Sequence, residues 1–597
     1  MPNLDLGVIG NCTVNALIDD KGRVVWSCFP RPDGDPVFNA LLNGREPFGL
    51  EEKGFQAIEL EGATTIHQEY VRNTAVLVTR MSDEHGNAIK VTDFAPRFLL
   101  HGRMFCPAMH IRRIAPTAGH PRIRVRMRPT FDYGRAAPVF SRGSHHLRFT
   151  HSSRALRLTT DMPITYVIGE TSFLLDQPVN LIFGPDESIE QSIAELARSF
   201  EERTVRYWQE WVRPLALPLE WQDAVIRAAI TLKLCTFEDT GAIIAAMTTS
   251  IPEASDTGRN WDYRYCWLRD AFFVVRALNS LSEVSTMENY LQFLLNVVHA
   301  SAEKKHLQPV FGVGTETCLT EQIIELPGYR GMGPVRIGNQ AFEHLQHDVY
   351  GNVVLAATQA FFDKRLLRQA TVADFHALEW LGERAYALHD QPDAGMWELR
   401  TMAAVHTSSS VMCWAACDRL AKIAAHFNET DRAHYWTERA QTIKARILSS
   451  AWNEKKQFFA ATFGGDQLDC GLLLMGEVGL IEPSDARWQS TVTMIGQHLR
   501  HGAHLFRYRH ADDFGLPQTA FTVCTFWYID ALARIGRIEE AREMFDNLLA
   551  RRNSLGLLSE DIDMTSGELW GNFPQTYSMV GIINCAIQLS QPWEKVL

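Results

Sequence analysis

The hydrophobic period of this 597-residue chain changes near Pro218, and that change restricts it to a fold of two unlike parts. From about residue 5 to 185, apolar and polar residues alternate in short segments such as "TAVLVTRM", "IRVRMRP", "HLRFTH" and "VNLIFGP", each closed by Gly, Pro, Asp, Asn or Ser. Such segments predict half-buried strands, and many in series predict an antiparallel β-sandwich. Ile189, Ile193, Leu196, Phe200 and Val205 then fall at mostly helical spacing before "RPLALP" ends the run, which predicts a linking helix. Beyond Pro218 the helical period persists, through segments at about 219–238, 267–280, 284–304, 345–363, 370–389, 408–426, 429–450, 467–477, 485–500, 517–536, 538–551 and 575–590. Helices with no strand between them predict stacked hairpins, and six hairpins close into a two-layered ring. The expected division is 1–186 for the sandwich, 187–218 for the linker and 219–597 for the helical part.

Hydrophobic residues make up 46% of the chain and charged ones 21%, enough apolar material for a large core. A net charge of −12 opposes a phosphate backbone unless basic residues concentrate somewhere. The best stripe, Arg122, Arg124, Arg126 and Arg128, alternates with Ile123, Val125 and Met127 and reads as a strand face, so no nucleic-acid partner is expected. The eleven cysteines include no C-x-x-C pair and read as reduced core residues; Cys413 and Cys417 lack the second pair a zinc site needs. No apolar run precedes the first basic residue, Lys21, and no segment reaches the roughly 18 apolar residues of a membrane helix. The expectation is a cytoplasmic protein without a membrane partner.

Long, aromatic-rich connections at 239–266, 305–344, 390–407, 501–516 and 552–574 are where chemistry is expected, because compact domains rarely keep idle loops of that length. In "QPDAGMWELR", Glu398 follows Trp397; an aromatic neighbour desolvates a carboxyl group, as a general acid needs. "RNWDYRYCWLRD" combines Tyr263 and Trp267, flat surfaces for sugar C–H faces, with Arg269 and Asp270, donors and acceptors for hydroxyls. "GPVRIGNQAFEHLQHD" carries Arg336, Asn339, His344, Gln346, His347 and Asp348; its histidines match no zinc signature and read as packing or hydrogen-bonding groups. "GLLSEDID" places Glu560 and Asp561 after an apolar run. A distant pair of carboxyl groups is the requirement of inverting glycoside hydrolysis, one protonated for the leaving oxygen and one ionised for the attacking water.

Taken in order, "GVIGNCTVNALIDDKGRVVWSCFPRPDGDPVF", "NWDYRYCWLRD", "GPVRIGNQAFEHLQHDVYG", "GMWELR" and "LLSEDIDMTSGELWGNFPQTYS" resemble glycoside hydrolase family 15, the glucoamylase family, whose bacterial branch includes trehalases. The resemblance implies an N-terminal antiparallel β-sandwich, a linker helix and an (α/α)6-barrel catalytic domain. It implies Glu398 as general acid and Glu560 as general base, with Arg269 and Asp270 gripping the terminal glucose. Tyr263 and Trp267 would be walls of that subsite and Trp397 the partner of the acid; Arg336, Asn339 and Arg400 complete the expected substrate contacts. No metal or other cofactor is implied. The substrate would be an α-linked gluco-oligosaccharide or disaccharide, cleaved from its non-reducing end to β-glucose. The chain departs from the fungal pattern at Leu399 and Arg400, where a second Glu follows the acid, and from many bacterial relatives at Met579, where they carry His. The leading expectation is an α-1,4-acting glucoamylase type. An α,α-trehalase comes second, an α-1,6-glucosidase third and a disaccharide phosphorylase last.

Overall fold

The computed structural model describes residues 2–44 and 52–596. Two antiparallel sheets form the N-terminal part. The first runs in the order Gly7–Gly10, Asn15–Ile18, Val24–Phe29, Phe55–Leu60, Arg122–Arg128 and Phe173–Leu174, with Asp35–Phe38 beside Val24–Phe29. The second runs Val139–Arg142, His146–His151, Arg154–Thr160, Val179–Pro185, His110–Ala118, Ala88–Phe94, Leu77–Asp83 and Ala63–Tyr70. Alternation decides which side chains meet between them: Ile58, Ile123 and Val125 of the first sheet share a core with Val91, Ile114, Leu158 and Leu181 of the second. The arginine stripe faces outward onto acids, Arg122 to Glu61 at 3.2 Å, Arg126 to Glu59 at 3.3 Å and Arg128 to Glu170 at 2.6 Å.

The helix Ile193–Val212 starts where the Ser192 hydroxyl accepts from Glu195 N and joins the two parts. Its Ala197 packs with Val76, Phe94, Ile111 and Ile182 of the second sheet, while Trp208 and Val212 enter the core of the helical part.

The helical part is an (α/α)6 barrel. Leu268–Ser280, Asp348–Thr358, Thr407–His426, the short Cys470–Glu477 turn-and-helix, Thr522–Arg534 and Thr576–Leu589 each pack on the next, and the last returns to the first. Outside them lie Gln222–Leu234, Ser285–Ala302, Val372–Leu388, Thr430–Ser450, Ala486–Leu499 and Ile538–Leu549. The inner helices all point the same way, so their N-termini and the loops leading into them gather at one mouth of the ring. The first sheet braces one of those loops. Arg264, fully buried, forks onto Asp262 at 2.9 and 2.7 Å and donates to Gly34 O at 2.7 Å, while Trp26 Nε1 reaches Met247 O at 2.7 Å.

Candidate active site

A cavity opens at that mouth, its empty space of about 850 Å³ continuous with open solvent. Four of the five long loops line it, through Glu253, Trp261 and Tyr263, through Asn339 and His344, through Met396 to Arg400, and through Arg507 and Asp512 to Phe514. The fifth places Glu560 one layer behind the wall, only 1% exposed.

Two aromatic side chains hold the two carboxyl groups. Trp267 Nε1 donates to Glu398 Oε1 at 2.6 Å, and the Tyr263 hydroxyl donates to Glu560 Oε1 at 2.7 Å. The two rings meet edge to face with centroids 5.4 Å apart. The aromatic pair thus links Glu398 and Glu560, each carboxyl held by one of its two rings. Glu398 sits at φ +62°, in the left-handed region, at the end of a turn closed by its own N–H on Gly395 O. A non-glycine residue held there stores backbone strain, which is tolerated where a side chain has to be aimed.

Glu560 is aimed by the strand pairing around it. Its N–H meets Asn572 O at 3.2 Å, and Asn572 N–H returns to Glu560 Oε2 at 3.2 Å. Burial, and after it the charge of Glu253, pushes the Glu560 carboxyl above the usual glutamate range; the Tyr263 and Asn572 donors oppose that rise. Gly571 makes the approach possible. It adopts φ +74°, and a Cβ there would stand 2.6 Å from Glu560 Cβ and 2.7 Å from Oε2. Gly571→Ala is expected to displace the carboxylate and to cost about 1–3 kcal/mol through overpacking and backbone strain. Thermal unfolding and kcat of the variant check this; an unchanged kcat would show that Glu560 tolerates the shift.

Arg269 lies on the cavity wall. It lies 3.4 Å from Asp270, 4.0 Å from Asp348 and 3.3 Å from Glu398, and donates to Met396 O at 2.8 Å. Asp270 and Asp348 occupy the first turns of their inner helices, where the macrodipole favours a negative charge. Burial pushes Asp270 up to about 7 against the pull of Arg269. Arg400, also on the wall, is fixed by Glu321 at 2.7 Å and lies over Trp261, 4.6 Å from the ring centroid.

Sequence and structure differ at several positions. Trp397 lines the cavity, but its indole N–H donates to Asp469 at 2.6 Å; the indole that reaches Glu398 belongs to Trp267. Arg336 lies behind Trp261, 4.8 Å from its centroid, held by Glu321 at 3.2 Å and Asn260 O at 2.8 Å, and does not line the cavity. Asn339 lines it, yet its amide caps the turn at Ala341 and ties down Asp262 O. His344, read as a packing or hydrogen-bonding group, is on the wall, and neither ring nitrogen has a hydrogen-bond partner. Sequence reasoning missed Glu253, Arg507, Phe521, Trp527 and Tyr577, all on the wall.

A cleft walled by aromatic, cationic and acidic side chains, with one carboxyl group on its wall and a second held just behind it, fits a class, the enzymes that cleave glycosidic bonds. Residues 221–587 match the model of glycosyl hydrolases family 15, and residues 4–170 match that of trehalase-like N-terminal domains. The chain is 31% identical to a trehalase of Mycolicibacterium smegmatis, over 100% of this chain and 92% of that protein. It is 29% identical to a trehalase of Thermoplasma volcanium, over 98% and 93% of the two chains. Its fold is similar to that of a bacterial glucoamylase crystallised with acarbose, with a TM-score of 0.69 and 12% identity, over 98% of this chain and 93% of the other. The chain belongs to glycosyl hydrolase family 15.

Proposed function

We propose that this glycoside hydrolase is an inverting α,α-trehalase. The observation that carries the choice of substrate is the likeness, along essentially the whole chain, to proteins named trehalase. The α-1,4 reading favoured by the sequence motifs has no such support, because the likeness to a glucoamylase at 12% identity speaks for the fold alone.

One glucose of the disaccharide would lie with its outer hydroxyls meeting Arg269 and Asp270. Protonated Glu398 gives its proton to the bridging oxygen as the bond from that oxygen to C1 breaks. Glu560 takes a proton from a water whose oxygen bonds to C1 from the opposite face. An inverting course places that water between the Glu560 carboxylate and the sugar. The Tyr263 hydroxyl, already on Glu560, stands where it can hold that water. The second glucose would lie toward His344 and Arg400. Arg400 is immobilised between Glu321 and Trp261, so it presents its donors at fixed positions and discriminates between leaving sugars by hydrogen bonding.

Initial rates on trehalose, maltose, maltotriose and isomaltose test the substrate. Trehalose is expected to be fastest by at least about tenfold in kcat/KM, the equivalent of one lost leaving-sugar hydrogen bond. Faster maltotriose cleavage would return the enzyme to the α-1,4 class.

A further inference from the structure

Glu253 is 4% exposed and lines the cavity beside Trp261. Its two oxygens are occupied: Arg507 donates to both, Trp261 Nε1 donates to Oε1 at 3.3 Å, and Arg259 stands 3.8 Å away. Two contacts join its loop to the segment bearing Glu560. Gly571 N–H donates to Pro252 O at 2.8 Å, and the Thr519 hydroxyl lies 3.0 Å from Glu253 O and 2.9 Å from Asp561 Oδ1. Three buried carboxyl groups, Glu253, Glu560 and Asp561, thus stand together, and the nearby guanidinium of Arg507 bonds to the first of them. Among the described residues, neither Glu560 nor Asp561 forms an ion pair, and Asp561 Oδ2 has no hydrogen-bond partner.

We propose that Glu253 is a positioning residue for hydrolysis: by holding Arg507 to itself it keeps that cation off Glu560 and leaves the Glu560 carboxylate free to take a proton from water. The inference rests on the reading of Glu560 as the base. A carboxylate beside an arginine is a weak proton acceptor, whereas a buried one beside another negative charge is a strong one. The direction of the Glu560 and Asp561 shifts agrees, burial first and the charge of Glu253 next in both. The groups facing Glu560 are Tyr263 and Glu253 from the loop leading to the first inner helix, Arg507 from the 501–516 loop and its own neighbour Asp561. Burial also raises Asp270 and Asp393 to about 7 and Asp469 to about 6, and the charge of Glu253 acts on none of them.

The test is the pH profile of kcat/KM for Glu253→Gln, Glu253→Asp, Arg507→Gln and Glu560→Gln on the fastest α-glucoside of the panel above. Glu253→Gln removes the neighbouring charge and frees Arg507. Its acid limb is expected to fall by about one pH unit, a tenfold change in proton affinity, with kcat lowered several-fold. Glu253→Asp keeps the charge and is expected to keep the wild-type limb. Arg507→Gln removes the cation and is expected to move the limb upward, and it decides the matter if Glu253→Gln does not fold. An unmoved limb in Glu253→Gln, or in Arg507→Gln, would overturn the proposal. So would a Glu253→Gln protein as inactive as Glu560→Gln, since Glu253 would then be the base. Wild-type turnover by Glu560→Gln would remove the underlying assignment; an inactive Glu560→Gln beside an unmoved Glu253→Gln limb would remove this inference alone.

Discussion

Glu398→Gln and Glu560→Gln are each expected to lower kcat by roughly 10²–10⁴-fold while KM changes little, because each proton transfer is made in the transition state and not in the bound substrate. Both replacements keep the side-chain shape. An amide oxygen in place of the Glu398 carboxylate can still accept from Trp267 Nε1; in Glu560→Gln the amide oxygen can accept from Asn572 N–H while the amide NH2 donates to the Tyr263 hydroxyl, so both positions keep their hydrogen-bond partners. The loss is therefore chemical. The two variants are also expected to differ on an activated substrate such as an aryl or fluoride glycoside, whose leaving group needs no proton. Glu398→Gln should recover much of its rate there, and Glu560→Gln should not, because the water still needs its base. Equal rescue of both would dissolve the division of roles.

Arg269→Lys is expected to lower kcat/KM by about 100-fold, by loss of the planar fork with the charge retained. The native guanidinium serves Met396 O, Gln346, Glu398, Asp270 and Asp348 at once, and a lysine ammonium cannot span that set. Arg269→Ala carries a second cost. It leaves Asp270 and Asp348 buried without their cation, which destabilises the protein by about 3–5 kcal/mol unless they take up protons. The pair of variants separates substrate capture from stability. Steady-state kinetics with thermal unfolding reads both, and a Lys variant within about threefold of wild type would show that the fork does not grip the sugar.

How far the molecule is legible in its sequence depends on the range of the forces that set each feature. Alternation in "IRVRMRP" and helical spacing beyond Pro218 report burial within a few residues, and the sandwich and barrel follow from them. The five long loops mark the cavity because irregular chain of that length has to be held by something, and four of them form its wall. Adjacency in sequence pairs Trp397 with Glu398. At a turn with φ +62° at Glu398, however, adjacent side chains diverge, and the indole that reaches the carboxylate comes from 131 positions away. Glu253 gives no local signal in "SIPEAS"; its guanidinium partner lies 254 positions along the chain, and such a pairing exists only after the ring has closed.

Proton NMR of the first minutes of trehalose hydrolysis, before the sugars mutarotate, tests the central claim most directly. Inversion at one anomeric carbon, with the other sugar leaving unchanged, predicts β-glucose and α-glucose in equal initial amounts. Initial α-glucose alone would mean retention, and with it a carboxylate acting as nucleophile, which contradicts the assignment of Glu560 as a base acting through water.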